Sequence, residues 1–315
     1  MVAKGGGPGF LSGSLRLLGR VPLPPGRPGA FDHGYVDPVT GRAFVAHTAT
    51  GTIDGIDPDL LEAVAVVDGC PEGSGLICAA TPHVVFVASR GAGRVLFVDP
   101  DRLEILREVA VGPRPNGLAW DGSRGRPLVA DVDPADQAAR LIDASLGAVV
   151  GRTPLPGRPR WCVFDEQQDR FLVNIRDPAT VIGLGGSSGE IVGSWPISSR
   201  GPHGLDLDRA RGRAFVACDG GHVIVIDLTS GDELAAIAIS GEPDAIWFNP
   251  TSRHLYVGVG KPGLIDIIDT DRMTVLESIP TEVGAKTSAF DVSRQRLYVF
   301  LPESCAAAVF EDRSR

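Results

Sequence analysis

An acidic residue closing a short apolar run recurs down the chain at nearly constant spacing: GIDPD at Asp57, FVDPD at Asp99, LIDAS at Asp143, VIDLT at Asp227 and IIDTD at Asp269. The steps are 42, 44, 84 and 42 residues. The double step contains VIGLGGSSG, in which Gly183 takes the aspartate's place, and a further 42 residues lead to Glu311 in AVFED. Seven units are therefore expected. Such a period means that one small structural unit is built repeatedly, each copy needing its neighbours to bury its apolar face.

A second signature lies upstream in each unit: AFVAH, VFVAS, PLVAD, FLVNI, AFVAC, LYVGV and LYVFL. Ahead of it stands a Gly/Pro-marked lead-in to another strand, as in GPRPNGLAWD, GRPRWCVFD, RGPHGLDLD and GEPDAIWFN. Each unit reads as strand A, a turn such as DPVTGR, strand B, a loop, strand C, the acidic turn and strand D. Forty glycines and 25 prolines in 315 residues suit short strands joined by tight turns. Four strands per period, seven times over, is the arithmetic of a seven-bladed all-β propeller in one domain spanning 1–315. The expected blades are 28–67, 69–110, 112–155, 157–197, 199–238, 240–281 and 283–315. The last unit has three strands, and SLRLLGRVPLPPGRPG resembles the fourth strand LREVAVGPRPNG, so residues 14–24 should complete blade seven. Ring closure of this kind removes the sheet edges that would otherwise be exposed, so no oligomer is required.

Charge narrows the partners. With 30 Lys+Arg against 39 Asp+Glu, the net charge of -9 argues against nucleic acid, whose phosphates need a basic face. The first residues, MVAKGGGPGFLSG, hold no apolar signal core, and no run reaches the ~18 apolar residues of a membrane span. A cytoplasmic protein without a membrane partner is expected. Five scattered cysteines, without a C-x-x-C pair, suggest neither a disulfide framework nor a structural zinc site. The repeated Asp57, Asp99, Asp143, Asp227 and Asp269 are explained as caps of the C–D turns.

The FVAH, FVAS, LVAD, LVNI and FVAC segments, each followed by a V-x-V-hydrophobic-D strand, resemble the YVTN repeats of YncE-like seven-bladed propellers over nearly the whole chain. Propellers related in fold include lactonases and lyases. The resemblance implies that the start of strand A and the end of strand B surround the mouth of a central channel. Counting five residues back from the Asp or Asn that ends strand A gives Asp32, Asn116, Arg160, His203, Asp244 and Lys286, with Glu72 in blade two. The ends of strand B give His47, Ser89, Asp131, Asn174 and Cys218, with Arg90 and Asp219 on the loops that follow.

Three chemistries suit this inventory. Asp32, Glu72, Asn116, Asp131 and Asp244 supply the converging oxygens that Ca²⁺ or Mg²⁺ requires, opposed by Arg160 and Lys286. His33, His47, His203 and Cys218, with Asp32 and Asp244, supply ligands for Zn²⁺ or another transition metal bridging the channel. Arg160 and Lys286 could hold a small anionic molecule, with His203 or His33 moving a proton, Asn174 nearby, and Trp161 and Trp247 as an apolar wall. The last reading covers a lactonase-type hydrolase or a lyase as well as a small-molecule binder. Two further readings remain: a solvated rim of mutually paired charges, and a non-catalytic interaction propeller docking a partner through the loop at 131–140.

Overall fold

The computed structural model describes residues 13–24 and 29–314. The glycine-rich N-terminal segment, the first residue of the expected blade one and the final Arg315 lie outside them. Seven four-stranded antiparallel sheets form the ring. Blade one runs Gly34–Val36, Ala43–His47, Thr52–Asp57, Glu62–Asp68, and blades two to six repeat that order. Blade seven takes its three inner strands from Ser288–Asp291, Arg296–Leu301 and Ala306–Asp312, and its outer strand from Leu15–Pro22. That strand pairs antiparallel with the last, from Leu15 opposite Asp312 to Pro22 opposite Ala306. The all-β seven-bladed ring closed by an N-terminal strand is the architecture the period requires. Among the described residues the only helical turn is Arg209–Arg211.

Burial explains the look of the repeats. Strand B of blade one, Ala43–His47, is buried at every residue, because each blade packs both faces against its neighbours. Strands buried on both faces read as unbroken apolar runs rather than alternating ones. The outer strands meet water on one side and alternate: Thr274–Pro280 runs exposed, half-buried, exposed throughout. Tyr256, Tyr298, Phe44, Phe86, Phe171 and Phe215 are among the largest fully buried side chains between the blades.

The five repeated aspartates cap the C–D turns. Asp99 Oδ1 accepts the amides of Asp101 and Arg102 at 2.8 and 2.9 Å, and Asp227 Oδ1 those of Thr229 and Ser230, both at 2.8 Å. In blade four the equivalent residue is Gly185, not Gly183. Arg170 pairs with Gly185 as Arg213 pairs with Asp227, and Gly189 N–H closes the turn onto Gly185. The spacing from Asp143 to Gly185 to Asp227 is thus an even 42; glycine hid the register because it carries no cap.

Strand A holds the detail that builds the channel mouth. In blade three Pro115 faces Asp131 and Leu118 faces Val129, so two residues, Asn116 and Gly117, stand opposite one. The same slip follows Gly73, Pro159, Pro202 and Pro243. A bulge bends the strand and re-aims its side chains; here the first of the inserted pair is the mouth residue and the second meets the next blade. A Cβ on Gly117 would lie 2.2 Å from the Arg160 carbonyl oxygen, and on Gly204 2.2 Å from that of Asp244. Glycine at this position in blades two, three and five lets those blades close on the next and so fixes the backbone of the neighbour's mouth residue.

Candidate functional site

The register places Asp32, Asn116, Arg160, His203, Asp244 and Lys286 at equivalent positions of six blades. In blade two that position is Ser74. It is fully buried and donates to the carbonyls of Ala88 and Pro115, a clip between blades. Glu72 stands two residues earlier, on the exposed rim, where it pairs with Arg114 at 3.2 Å.

His203 is held at both ends: Nδ1 lies 3.0 Å from Asp219 Oδ1 and Nε2 3.1 Å from Asp244 Oδ1. The second oxygen of Asp244 lies 2.8 Å from Lys286 Nζ, and Asp219 Oδ2 lies 3.0 Å from Arg176 Nε. Burial favours neutral His203, but the Asp244 charge and the bond to Asp219 outweigh it and raise its pKa. Burial likewise pushes the Asp244 carboxyl up, and the facing His203 and Lys286 cations reverse this and hold it far below the usual range. Asp244 in turn raises Lys286 against burial. The result is a chain of alternating charges, Lys286, Asp244, His203, Asp219 and Arg176. Asp32 forms a second pair with Arg90 at 2.5 Å.

Arg160 is different. Its side chain makes no ion pair or hydrogen bond among the described residues, and its Nε is buried without a partner. Burial lowers its pKa and neighbouring Arg158 lowers it further; a guanidinium nonetheless stays charged at neutral pH. Arg158 is also without a side-chain partner among the described residues, and burial, then Arg176, Arg90 and Arg114, lower its pKa. The mouth therefore gathers Arg90, Arg114, Arg158, Arg160, Arg176 and Lys286 around the carboxylates of Asp32, Glu72, Asp219 and Asp244. It carries a local positive excess on a chain of net charge -9. Asn116, 6% exposed, makes no side-chain hydrogen bond there.

The mouth has a floor. One residue further along strand A, blade one carries His33 and blade four Trp161, and these rings stack at 4.0 Å with a 16° tilt. Blades one and four are not neighbours in the ring, so the stack bridges the channel. Burial lowers the His33 pKa, although Asp32 and Asp244 oppose it, and leaves a neutral ring against the indole. Trp247 meets Trp161 edge-on at 6.2 Å from the lower side. It lines the lumen beneath the floor and is not a wall of the mouth.

The strand B ends do not form a second ring of ligands, because their side chains turn into the blades. His47 Nδ1 bonds Asp54 at 2.7 Å. Ser89 donates to the Pro71 carbonyl, and Asp131 accepts the Arg114 amide. Cys218 Sγ faces the Val216 carbonyl at 3.5 Å. Asn174 lies one residue short of the position, which Ile175 occupies opposite Pro159. Its amide nitrogen donates to the carbonyls of His203 and Gly204, both at 3.0 Å, pinning the blade-five bulge. The residues after the strand ends, Arg90 and Asp219, do reach the mouth. Arg114, Arg158 and Arg176 escaped the sequence reading; Arg114 and Arg158 each stand two residues before a mouth residue, and alternation along a strand puts such pairs on one side.

A cation site does not fit this donor set. Among the described residues no group of three His, Cys, Asp or Glu side chains converges to hold a metal. Asp244 and His203 are turned onto each other, Asp32 onto Arg90, and His47 lies inside blade one. Burial pushes the Cys218 thiol up to about 12, away from the thiolate a metal needs. The loop at 131–140 is likewise closed on itself, with Asp136 held by Arg140 and Arg152.

No family model matches the chain, and no curated protein matches it. Among solved structures it is similar to a chain of Kuenenia stuttgartiensis hydrazine synthase, with a TM-score of 0.84 at 16% identity, covering 92% of this chain and 97% of that one. At that identity the likeness is one of fold. Among the described residues no helix is long and apolar enough to cross a membrane.

Proposed function

We propose that the protein binds a small anionic molecule, a carboxylate, phosphate or lactone, in the cup above the His33–Trp161 floor. The observation that carries this reading is the partnerless Arg160 guanidinium, half-buried beside a second partnerless arginine. A planar fork with unfilled donors recognises a planar or tetrahedral anion. Lys286 and His203, already committed to Asp244, supply field rather than first contacts. Asp32 and Asn116 set the cup's shape.

A lactonase or lyase step at this site starts from proton transfer by His203, and both its nitrogens already face carboxylates. A substrate must displace Asp244 before His203 can serve, so binding is the primary reading and turnover an extension of it. The YVTN-like repeat is compatible with either. All five cysteines are free, which supports a reducing, cytoplasmic setting.

The test is calorimetric titration of inorganic phosphate, acetate and citrate into the purified protein and into Arg160→Ala, at fixed ionic strength. Saturable binding by at least one anion, lost in Arg160→Ala without a change in melting temperature, is expected. Identical titrations for the two proteins would remove Arg160 from the site, and with it the proposal. Hydrolysis of a lactone panel, abolished in His203→Gln, would extend the reading to catalysis.

A further inference from the structure

Below the floor the channel widens into a cavity of about 800 Å³ that the mouth chemistry does not use. Three residues beyond the mouth position, strand A of blades one to six turns a side chain to the lumen. In this lower ring Tyr35, Ile77, Ala119, Val163 and Trp247 surround a single carboxyl, Asp206. Tyr35 and Trp247, from blades separated by blade seven, meet edge-on at 5.5 Å and form an aromatic corner across the lumen. Tyr35 makes no side-chain hydrogen bond among the described residues, and burial pushes its hydroxyl up to about 12, so it remains a phenol. Asp206 accepts the Phe248 amide at 2.7 Å and the Leu207 amide at 2.8 Å. Neither bond neutralises it, and burial raises its pKa against the pull of Phe248 and Arg209. Arg209 and Glu166 both line the cavity. Arg209 donates to the Phe164 carbonyl at 3.1 Å.

The geometry points to a second binding site, in the lumen, for a small organic ammonium ion with a flat apolar body. The cavity volume is that of a small-molecule pocket, and its walls bury an apolar frame. Aromatic faces attract a desolvated cation. The lone carboxylate at their level gives that cation its counter-charge and is itself relieved of the cost of burial. A neutral guest of the same shape finds the walls but not the charge. The aromatic floor separates this site from the anion cup, so the two ligands differ in sign and enter from opposite ends.

The experiment is titration with phenethylammonium and with its neutral analogue 2-phenylethanol, followed by calorimetry and tryptophan fluorescence. Binding of the amine about tenfold or more tighter than the alcohol is expected. Asp206→Asn keeps an oxygen for the Phe248 amide while removing the charge, and should equalise the two ligands. Trp247→Leu should weaken both, and serves as the deciding variant if Asp206→Asn does not fold. No binding of the amine, equal affinity for amine and alcohol in the unaltered protein, or an undiminished preference for the amine in Asp206→Asn or undiminished binding in Trp247→Leu overturns the proposal. Phosphate binding in the cup is read separately, so one site can fail without the other.

Discussion

The mouth and the lumen are made by the same strand, three residues apart: His203 and Asp206, Asp244 and Trp247, Arg160 and Val163, Asp32 and Tyr35. The upper member of each pair is polar, and only aspartate, in blades one and six, occurs there twice. The lower members are apolar or aromatic save one. Pairing register and bulge fix where both point, so the backbone constrains position and leaves identity free. Side chains that stack blade on blade must be large and apolar; those reaching the axis touch only whatever fills it. That is why variation collects there.

The largest effect should come from removing the partition. Trp161 is 8% exposed, and Trp161→Ala should cost about 4 kcal/mol in denaturant unfolding. An unchanged midpoint would show that the ring stack contributes no packing, and the separation of cup from lumen would lose its basis. Next comes the charge chain. Asp244→Asn leaves His203 and Lys286 facing each other without their anion and should cost about 3 kcal/mol. Wild-type stability in that variant would reduce the chain to a set of surface pairs.

Two smaller effects sharpen the contrast. Gly117→Ala puts a methyl group against the Arg160 carbonyl, and overpacking of this kind costs about 2 kcal/mol. It should also shift Arg160 and weaken anion binding while leaving the lumen site alone. Arg160→Ala itself should change stability by no more than about 0.5 kcal/mol, because no partner is lost.

The pH dependence separates the two halves of the charge chain. Asp219 and Asp244 have folded pKa values below the ordinary 3.8, so their contribution is complete above that value and is lost as pH falls through the depressed ones. His203 has a folded value above 6.5; its contribution is complete below 6.5 and is lost as pH rises through the elevated value. The stability difference between the protein and His203→Gln should therefore narrow on the alkaline side. A difference that stays constant or grows with pH would contradict a charged His203.

Which of this was legible in the residues follows from what each inference needed. Blade number and closure rest on period and apolar runs, and both are written along the chain. Mouth positions were found wherever an Asp or Asn ended strand A at a fixed distance. In blade two Glu72, two residues early, stood in for Ser74 and so fell on the same side but out on the rim; Asn174 is one residue off, and a one-residue error reverses a side chain's direction in a strand. The pairing of His203 with two carboxylates, and the absence of any partner for Arg160, depend on loops from different blades meeting at the axis. No spacing encodes that. The ring stack of His33 on Trp161 is of the same kind, since 128 residues separate its members.

Blade seven is shared between the two ends of the chain, with Leu15 hydrogen-bonded across to the neighbourhood of Asp312. Until the segment around Ala306–Asp312 has been synthesised, the early strand has nothing to pair with and the other six blades stand as an open arc. Assembly must finish with the contact of longest sequence separation, and such non-local closures are slow. During that interval the unpaired rims of the arc are the place where a nascent chain would meet a chaperone or another copy of itself.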